Sequence, residues 1–237
     1  MIIKSVMGPK KQIGVVTRKD LIVESIYELD IKLSEICLFK PGQYVSLKVN
    51  ENGVRRSYSV AGYQKNTVRL LVDVSPGGMG SIYLEKLSVG DEVEVMGFLG
   101  RFVLEEAEAM EETTVYFVAT GTGIAPFLPM IEKLLLDGFG GKVILWWGLR
   151  FIRGLYWQKW LQEIKEKYKN FDFEIYMSQP ESLWTGKQGH VGDNLDAVEI
   201  KGSVWYLCGS TRMIEEMKSR LREKQVPEEL INYEKFF

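Results

Sequence analysis

The pattern of apolar segments changes part-way along the chain, and this change limits the folds that the sequence can adopt. In the first hundred residues, short apolar stretches such as GVVTR, QYVSLKV and VRLLVDV are separated by turn signals, among them Pro41-Gly42, Asn52-Gly53 and Gly90-Asp91. Short strands at this spacing favour an all-β barrel or sandwich. Later, apolar stretches such as TVYFVA and KVILWWG alternate with helical patterns, which favours a doubly wound parallel sheet.

An acidic, polar segment, LEEAEAMEETT, separates the two patterns. We place the domain boundary within it, which gives domains of residues 1–107 and 108–237. We expect four parallel strands in the second domain, with helices between them. The apolar stripes of those helices are Leu128, Ile131 and Leu135, then Trp157, Trp160, Ile164 and Tyr168, then Ile214, Met217 and Leu221.

Charge and composition exclude several classes of function. A net charge of −2 and a pI near 5.7 give no basic footprint for nucleic acid. Two cysteines, Cys37 and Cys208, and the single His190 are too few for an iron–sulfur cluster or structural zinc in the usual form. The N-terminal residues do not resemble a secretory signal, and glycines and prolines interrupt the apolar window 115–131. We therefore expect a cytoplasmic protein without a membrane span.

Two glycine turns follow strands in the second domain. FVATGTGIAPF has the order strand, Gly-x-Gly, helix start, which suits an anion such as a diphosphate. It departs from the dinucleotide fingerprint, because Pro126 replaces the third glycine and Arg150 ends the next strand where an acid is expected. We expect Pro126 in the opening turn of a helix. LCGSTRM repeats the order, and both turns should lie at one sheet edge; the alternative is two tight turns without a ligand.

The first domain contains a third glycine turn and a pair of cations. In VRRSYSVAG, Arg56 precedes a tyrosine flanked by two serines. In SPGGMGSIYL, the N–H groups of Met79, Gly80 and Ser81 could form an anion cradle before a short helix. A cation beside such a cradle suits a diphosphate.

Taken together, the motifs resemble those of the ferredoxin–NADP reductase-like flavoproteins, and they occur in that family's order along nearly the whole chain. The pairing of Arg-x-Tyr-Ser with Gly-Thr-Gly-x-x-Pro is the most specific part. The resemblance implies an N-terminal antiparallel β-barrel that binds FAD, followed by a doubly wound α/β domain that binds NAD(P). The motifs are FKPGQYVSL, RRSYSVAG, SPGGMGSIYL, VMGFLGRF, ATGTGIAPF, WWGLR, SQPES, LCGSTRM and YEKFF.

The resemblance also implies roles for residues of the barrel. Arg56 would pair with the FAD diphosphate. Tyr58 would lie on the isoalloxazine, and Ser59 would hydrogen-bond its reactive nitrogen. Gly42-Gln43-Tyr44 would shape the strand behind the cofactor. Further cofactor contacts are expected from Ser57, Val72, Val74, Gly78, Met79, Gly80 and Ser81.

In the second domain, the resemblance implies that Thr122 and Gly123 contact the nicotinamide nucleotide, with Cys208 beside the nicotinamide. A C-terminal aromatic often covers the other flavin face in this family, so Phe236 or Phe237 would return to the flavin, with Glu234 close by. The alternative is an apolar terminus without a ligand. The expected catalytic group is thus Tyr58, Ser59, Cys208 and Glu234, and the remaining nucleotide contacts are Pro126, Arg150, Gly209 and Met213.

The implied activity is oxidation of NADH or NADPH through FAD, with electrons passed to a ferredoxin, a flavodoxin or an oxygenase component. Ser178 and Gln179 at the end of the third strand offer no adjacent cation for a 2′-phosphate, which favours NADH, although Arg150, Arg153 or Lys187 could reach it. Two alternatives stay open: a flavin reductase that releases flavin as a substrate, and a non-catalytic electron-transfer subunit of a larger complex.

Overall fold

The computed structural model describes residues 10–104 and 113–236. These residues form two compact units. One contains residues 10–104 with 125–130, and the other contains residues 113–124 with 131–236. The boundary expected at residue 107 lies outside the described residues and stays a prediction.

The first unit is built on a closed barrel of six antiparallel strands in the order β1-β2-β5-β4-β3-β6. This confirms the antiparallel barrel expected for the N-terminal part of the chain. Along the chain, helix α1 lies between β5 and β6. The elements are β1 Lys10–Val23, β2 Ile26–Leu33, β3 Tyr44–Lys48, β4 Arg55–Gln64, β5 Thr67–Asp73, α1 Met79–Lys86 and β6 Glu92–Leu99.

Alternation of side chains builds the barrel core. Along β1, Gln12, Gly14 and Val16 are buried, while Ile13 and Val15 point outward, as the period of two in a strand requires. The stretch LIVESIYEL contains the turn of the β1–β2 hairpin at Glu24, which has a left-handed φ of +36°. The core contains Val16, Leu29, Ile31, Leu33, Val45, Leu47, Val49, Val60, Val68, Leu70, Val72, Val93 and Val95.

The second unit contains a six-stranded parallel sheet in the order β10-β9-β8-β7-β11-β12. It confirms the parallel-sheet domain, but adds two strands to the four read from the sequence. β10 has only two residues and β12 carries charged side chains, so neither gave an apolar run. Along the chain, the elements from residue 114 onward are β7 Thr114–Thr120, α2 Phe127–Leu136, β8 Lys142–Leu149, α3 Gln158–Lys167, β9 Phe171–Met177, β10 Lys187–Gln188, β11 Ser203–Ser210, α4 Thr211–Glu223 and β12 Ile231–Phe236.

The predicted helical stripes are buried in α2 and α4. Leu128, Ile131 and Leu135 are buried on α2, and α4 buries its stripe under the sheet together with Met213. For α3, the helical stripe expected from Trp157 to Tyr168 was too long. α3 begins after Trp157, whose left-handed backbone (φ +56°) precedes the helix, and ends before Tyr168.

Two glycines of the barrel unit allow a matched test of what this fold requires. Gly42 (φ +99°) lies against Phe102, whose carbonyl carbon would be 3.2 Å from an added Cβ and whose oxygen would be closer still; Gly53 (φ +83°) faces open space. We predict that Gly53→Ala lowers the free energy of unfolding by about 1–2 kcal/mol, the cost of the left-handed backbone alone. Gly42→Ala should cost about 2–5 kcal/mol, because a backbone clash is added. Urea unfolding curves measure both, and equal costs would contradict the packing described.

Candidate functional site

Arg56 and Tyr58 lie together on β4. The strand is in register with β3, so that Arg56 pairs with Leu47 and Tyr58 with Val45. Residues two apart in a strand project from the same face, and both side chains lie beside Gly80 of α1. An added Cβ on Gly80 would be 3.0 Å from Arg56 Cγ and would overlap the Tyr58 hydroxyl. The glycine therefore allows the start of α1 to approach the motif RRSYS.

The N-terminus of α1 offers backbone donors at this place. The sequence favoured a helix after Ser81, but the helix begins at Met79, so Met79, Gly80 and Ser81 form its first turn. The N-cap residue, Gly78, provides no side-chain hydrogen bond, and the first turn carries no acidic side chain. N–H groups of a first helical turn have no partner within the helix, and the helix dipole favours an anion there. The expected cradle is thus the helix terminus itself.

Two neighbouring arginines have different surroundings. Arg55 donates to Glu94 Oε1 at 2.5 Å and to the Ser46 carbonyl at 2.6 Å, and this contact lowers the pKa of the Glu94 carboxyl. Arg56 is exposed and donates to the Arg55 carbonyl at 2.9 Å. Within residues 10–104 and 113–236, no carboxylate forms an ion pair with Arg56. The positive charge of Arg56 is therefore available to a ligand.

Tyr58 presents an apolar ring rather than an acid. Burial raises the pKa of its phenol to about 12, and the nearby Arg56 charge opposes this rise only in part. The phenol is therefore neutral at physiological pH. Its half-buried ring packs against the barrel core. Of the other expected contacts, Ser59 and Val72 are buried, Val74 is half-buried after the end of β5, and Ser57 is exposed.

In the second unit, the two predicted glycine turns lie side by side. Residues Gly121–Ile124 form a 3-10 turn after β7. A Cβ on Gly123 would be 2.7 Å from the Cys208 carbonyl carbon and 2.8 Å from Gly209 Cα. Gly209 (φ +142°) leaves equally little room, because its Cβ would be 2.9 Å from the Thr120 nitrogen. Thr122 lies in the same 3-10 turn.

The strand order explains why these turns meet. β7 is the first strand of the sheet and β11 the fifth, yet they are direct neighbours, so the order reverses between them. In open parallel sheets, ligands bind at the carboxyl ends of the strands where the order reverses. At this edge, the Ser210 hydroxyl caps α4 by accepting the Met213 N–H at 3.3 Å. α4 therefore begins at the switch point.

The expectation for Pro126 was wrong. Pro126 is a buried turn residue that immediately precedes α2, and α2 begins only at Phe127. The 3-10 turn separates Gly-Thr-Gly from the α-helix, so the first glycine turn does not itself form the helix N-terminus.

Cys208 and Glu234 are neighbours across two parallel strands. The register pairs Cys208 with Glu234, and Ser210 with Phe236, which places each pair on one face of the sheet. Cys208 is fully buried; burial, and secondarily the Glu234 carboxylate, raises the pKa of its thiol well above the usual value. The expected terminal aromatic Phe236 is half-buried at the end of β12. Phe237 lies outside the described residues.

Two of the expected nucleotide contacts, Met213 and Arg150, have other surroundings in the structure. Met213 belongs to the apolar cluster that contains Leu207 and Ile214, and Leu207 points to the face opposite its neighbour Cys208. Met213 is thus a core residue. Arg150 is exposed just beyond β8, and its carbonyl accepts the Gln179 N–H at 2.9 Å. The ends of β8 and β9 are therefore joined next to Gln179.

Sequence reasoning missed three side chains that support the switch point. Trp147 Nε1 and the Tyr156 hydroxyl donate to the Gly121 carbonyl, at 2.9 and 3.4 Å. Thr120 Oγ1 accepts the Ser210 N–H at 3.0 Å. Aromatic residues in apolar stretches resemble core positions in a sequence, so their polar atoms gave no signal.

Comparisons with known proteins match the two parts of the chain to two domain families. Residues 14–104 match the oxidoreductase FAD-binding domain, and residues 117–219 match the oxidoreductase NAD-binding domain. The anthranilate 1,2-dioxygenase electron transfer component of Acinetobacter baylyi is 32% identical over 230 residues, which are 94% of this chain and 66% of that protein. The chain thus spans about two thirds of the length of that relative.

Two further comparisons extend the likeness. Ferredoxin–NADP reductase B of Sorangium cellulosum is 28% identical, over 84% of this chain and 86% of that protein. The crystal structure of the Amycolatopsis cytochrome P450 reductase GcoB superimposes with a TM-score of 0.90 and 27% identity, over 96% of this chain and 70% of that one. Sequence and structure therefore point to the same group of reductases.

The described residues contain neither a membrane-spanning helix nor a cluster of metal-binding side chains. No helix within residues 10–104 and 113–236 is long and apolar enough to cross a membrane. The same part of the chain brings no group of three His, Cys, Asp or Glu side chains into a geometry that could hold a metal ion.

The buried thiol gives a direct test of the sheet. Because the pKa of Cys208 is raised, it stays protonated at pH 8, and only the thiolate reacts with electrophiles. We predict that in a Cys37→Ser variant no thiol reacts rapidly with iodoacetamide at pH 8, and that one reacts after unfolding in urea. Mass spectrometry of the labelled peptide gives the measurement. Rapid labelling of Cys208 in the folded protein would contradict its burial.

Proposed function

The chain belongs to the ferredoxin–NADP reductase-like family of flavoproteins, and from that premise we propose that it is an FAD-dependent NAD(P)H oxidoreductase. In this proposal it takes electrons from a reduced nicotinamide nucleotide and delivers them, through FAD, to a separate one-electron carrier. The observation that carries the proposal is the meeting of Arg56, Tyr58 and the uncapped N-terminus of α1 around Gly80.

The residues of the barrel fit FAD in charge and shape. A diphosphate needs a cation and backbone donors, which Arg56 and the first turn of α1 supply. A flavin ring needs an apolar surface, which the neutral ring of Tyr58 supplies. We propose that Ser59 donates to the flavin ring and that Ser57, Val72, Val74, Gly78, Met79 and Ser81 complete the contacts.

The residues of the sheet fit a nicotinamide nucleotide. Gly123 packs against the backbone of Cys208 and Gly209, and Gly209 packs against Thr120, so both glycine turns lie together at the switch point, where open parallel sheets bind ligands. We propose that Thr122 and Gly123 bind the nucleotide diphosphate, and that Cys208 and Gly209 adjoin the nicotinamide. The thiol of Cys208 stays protonated, so its proposed role is to position the ring as a neutral group rather than to act as a nucleophile.

Bound FAD would supply the conversion between a two-electron donor and a one-electron acceptor. The protein's part in such a reaction is to bind and orient two rings and to exclude water. No strong general base is required, which agrees with a site whose proposed members are Tyr58, Ser59, Cys208 and Glu234. We propose that Glu234 orients Cys208, its partner in the register, and that Phe236 covers a flavin face.

The electron acceptor is proposed from the relatives. The names of similar proteins describe an electron transfer component of a dioxygenase and a ferredoxin–NADP reductase. A ferredoxin, a flavodoxin or an oxygenase component would accept electrons one at a time. A flavin reductase, by contrast, would release its flavin. Retention of a yellow colour on size-exclusion chromatography separates these two functions, and the Arg56 site favours retention.

For the nucleotide, we propose NADH. Ser178 and Gln179 follow β9, and neither they nor the residues next to them in the sequence carry a positive charge. The 2′-phosphate of NADPH would therefore lack the charge-assisted hydrogen bond that an arginine or lysine gives it. We predict a kcat/KM about tenfold higher with NADH than with NADPH, and that Gln179→Arg narrows this ratio by about tenfold. Steady-state assays with ferricyanide measure both. A clear preference for NADPH that Arg150→Ala abolishes would contradict the proposal and identify Arg150 as the phosphate partner.

A matched pair of arginine variants tests the FAD site. Arg56→Ala removes the cation from the diphosphate cradle, so we predict a Kd for FAD about 10–100-fold higher, the usual effect of one charge-assisted hydrogen bond. Arg55→Met removes the adjacent cation, which is already paired with Glu94, and should change the Kd less than about threefold. Flavin fluorescence titration of the apoproteins gives both values. Equal affinities in the two variants would contradict the assignment.

A further inference from the structure

Within the part of the chain that the structure describes, β12 pairs with β11 alone and is therefore an edge strand of the sheet. Edge strands open more easily than central strands, because one row of their backbone groups has no ladder partner. Yet this strand carries Glu234 and Phe236, which the proposed function places beside the reacting rings. The proposed function therefore requires side-chain contacts that hold β12 against the rest of the sheet domain.

The two faces of β12 have different partners. Ile231 is buried in the cluster with Ile214 and Met217 of α4. Tyr233 lies over the Lys218 ammonium of α4, and Lys235 forms an ion pair with Glu215 of the same helix at 2.7 Å. These alternate residues face α4, so Glu234 and Phe236 face the opposite side. The contacts that Ile231, Tyr233 and Lys235 make with α4 therefore fix where the strand holds Glu234 and Phe236.

Among these contacts, Lys218 differs from an ordinary surface lysine. Lys218 is only 6% exposed. Its Nζ lies 3.7 Å from the centroid of the Tyr233 ring and 4.0 Å from Glu228 Oε1. Glu228 is held in turn by Arg222 at 2.6 and 2.7 Å. A buried ammonium requires compensation, and a desolvated cation over an aromatic face is a stronger contact than an exposed ion pair.

We propose that Lys218 is a positioning residue, which holds Tyr233 and thereby fixes Glu234 and Phe236 on the opposite face of β12. The proposal rests on the proposed function for the role of Glu234 and Phe236, but the anchoring of the strand does not. It assigns a functional reason to a buried charge that lies on the far side of the sheet from Cys208.

The test compares Lys218→Met with Lys224→Met. Lys224 is the C-cap residue of the same helix and forms its ion pair with Asp196, at 2.7 Å, rather than with a residue of β12. In Lys218→Met, amide hydrogen exchange of residues 231–236 should accelerate by about tenfold, and the limiting rate of flavin reduction should fall by at least about fivefold. Lys218→Arg should restore at least about half of that rate. Lys224→Met should match the wild-type protein in both measurements.

Each other result counts against the proposal. Unchanged exchange or an unchanged rate in Lys218→Met overturns it, and so does a lost rate that Lys218→Arg does not restore. If Lys218→Met does not fold, Tyr233→Leu and Tyr233→Phe decide, because only the first removes the aromatic face; equal exchange in these two overturns the proposal. A wild-type protein that no nicotinamide nucleotide reduces would refute the proposed function, while the exchange measurement would still test the anchoring.

Discussion

The structure depends on close backbone approach at a few glycines that follow strands or begin helices. At Gly80 an added Cβ would meet Arg56 and Tyr58, and at Gly123 it would meet the backbone of Cys208 and Gly209. Because no side chain fills these places, the N-terminus of α1 can approach the side chains of Arg56 and Tyr58, and the turn after β7 can approach the backbone of β11, while both still offer N–H donors. Both proposed diphosphate sites follow from this constraint.

The side chains near these glycines suit ligand binding rather than acid–base chemistry. The adjacent Arg55 forms an ion pair with Glu94, whereas Arg56 donates to a backbone carbonyl and its charge is available to a ligand. Burial raises the pKa of Tyr58 and of Cys208, so both groups remain neutral. Sites of this kind orient rings and phosphates, which is what electron transfer between two bound nucleotides demands.

Much of the fold could be predicted from the sequence, since the change from period-two strands to alternating strands and helices is a strong local signal. The adjacency of Gly123 and Cys208 also followed, because parallel strands share an edge. The short strand β10 and the charged strand β12 could not be predicted, as neither has an apolar run. Nor could the support of Gly121 by Trp147 and Tyr156, or the burial of Lys218, since both depend on contacts between distant residues.

The central claim is that one chain holds FAD against Tyr58 and lets a reduced nicotinamide nucleotide pass its electrons to it. Anaerobic mixing of the purified, FAD-loaded protein with NADH or NADPH, followed by its visible spectrum, tests this most directly. We expect complete bleaching of the flavin by at least one of the two nucleotides, in a single turnover. A protein that retains its FAD while its spectrum stays oxidised with both nucleotides would contradict the account.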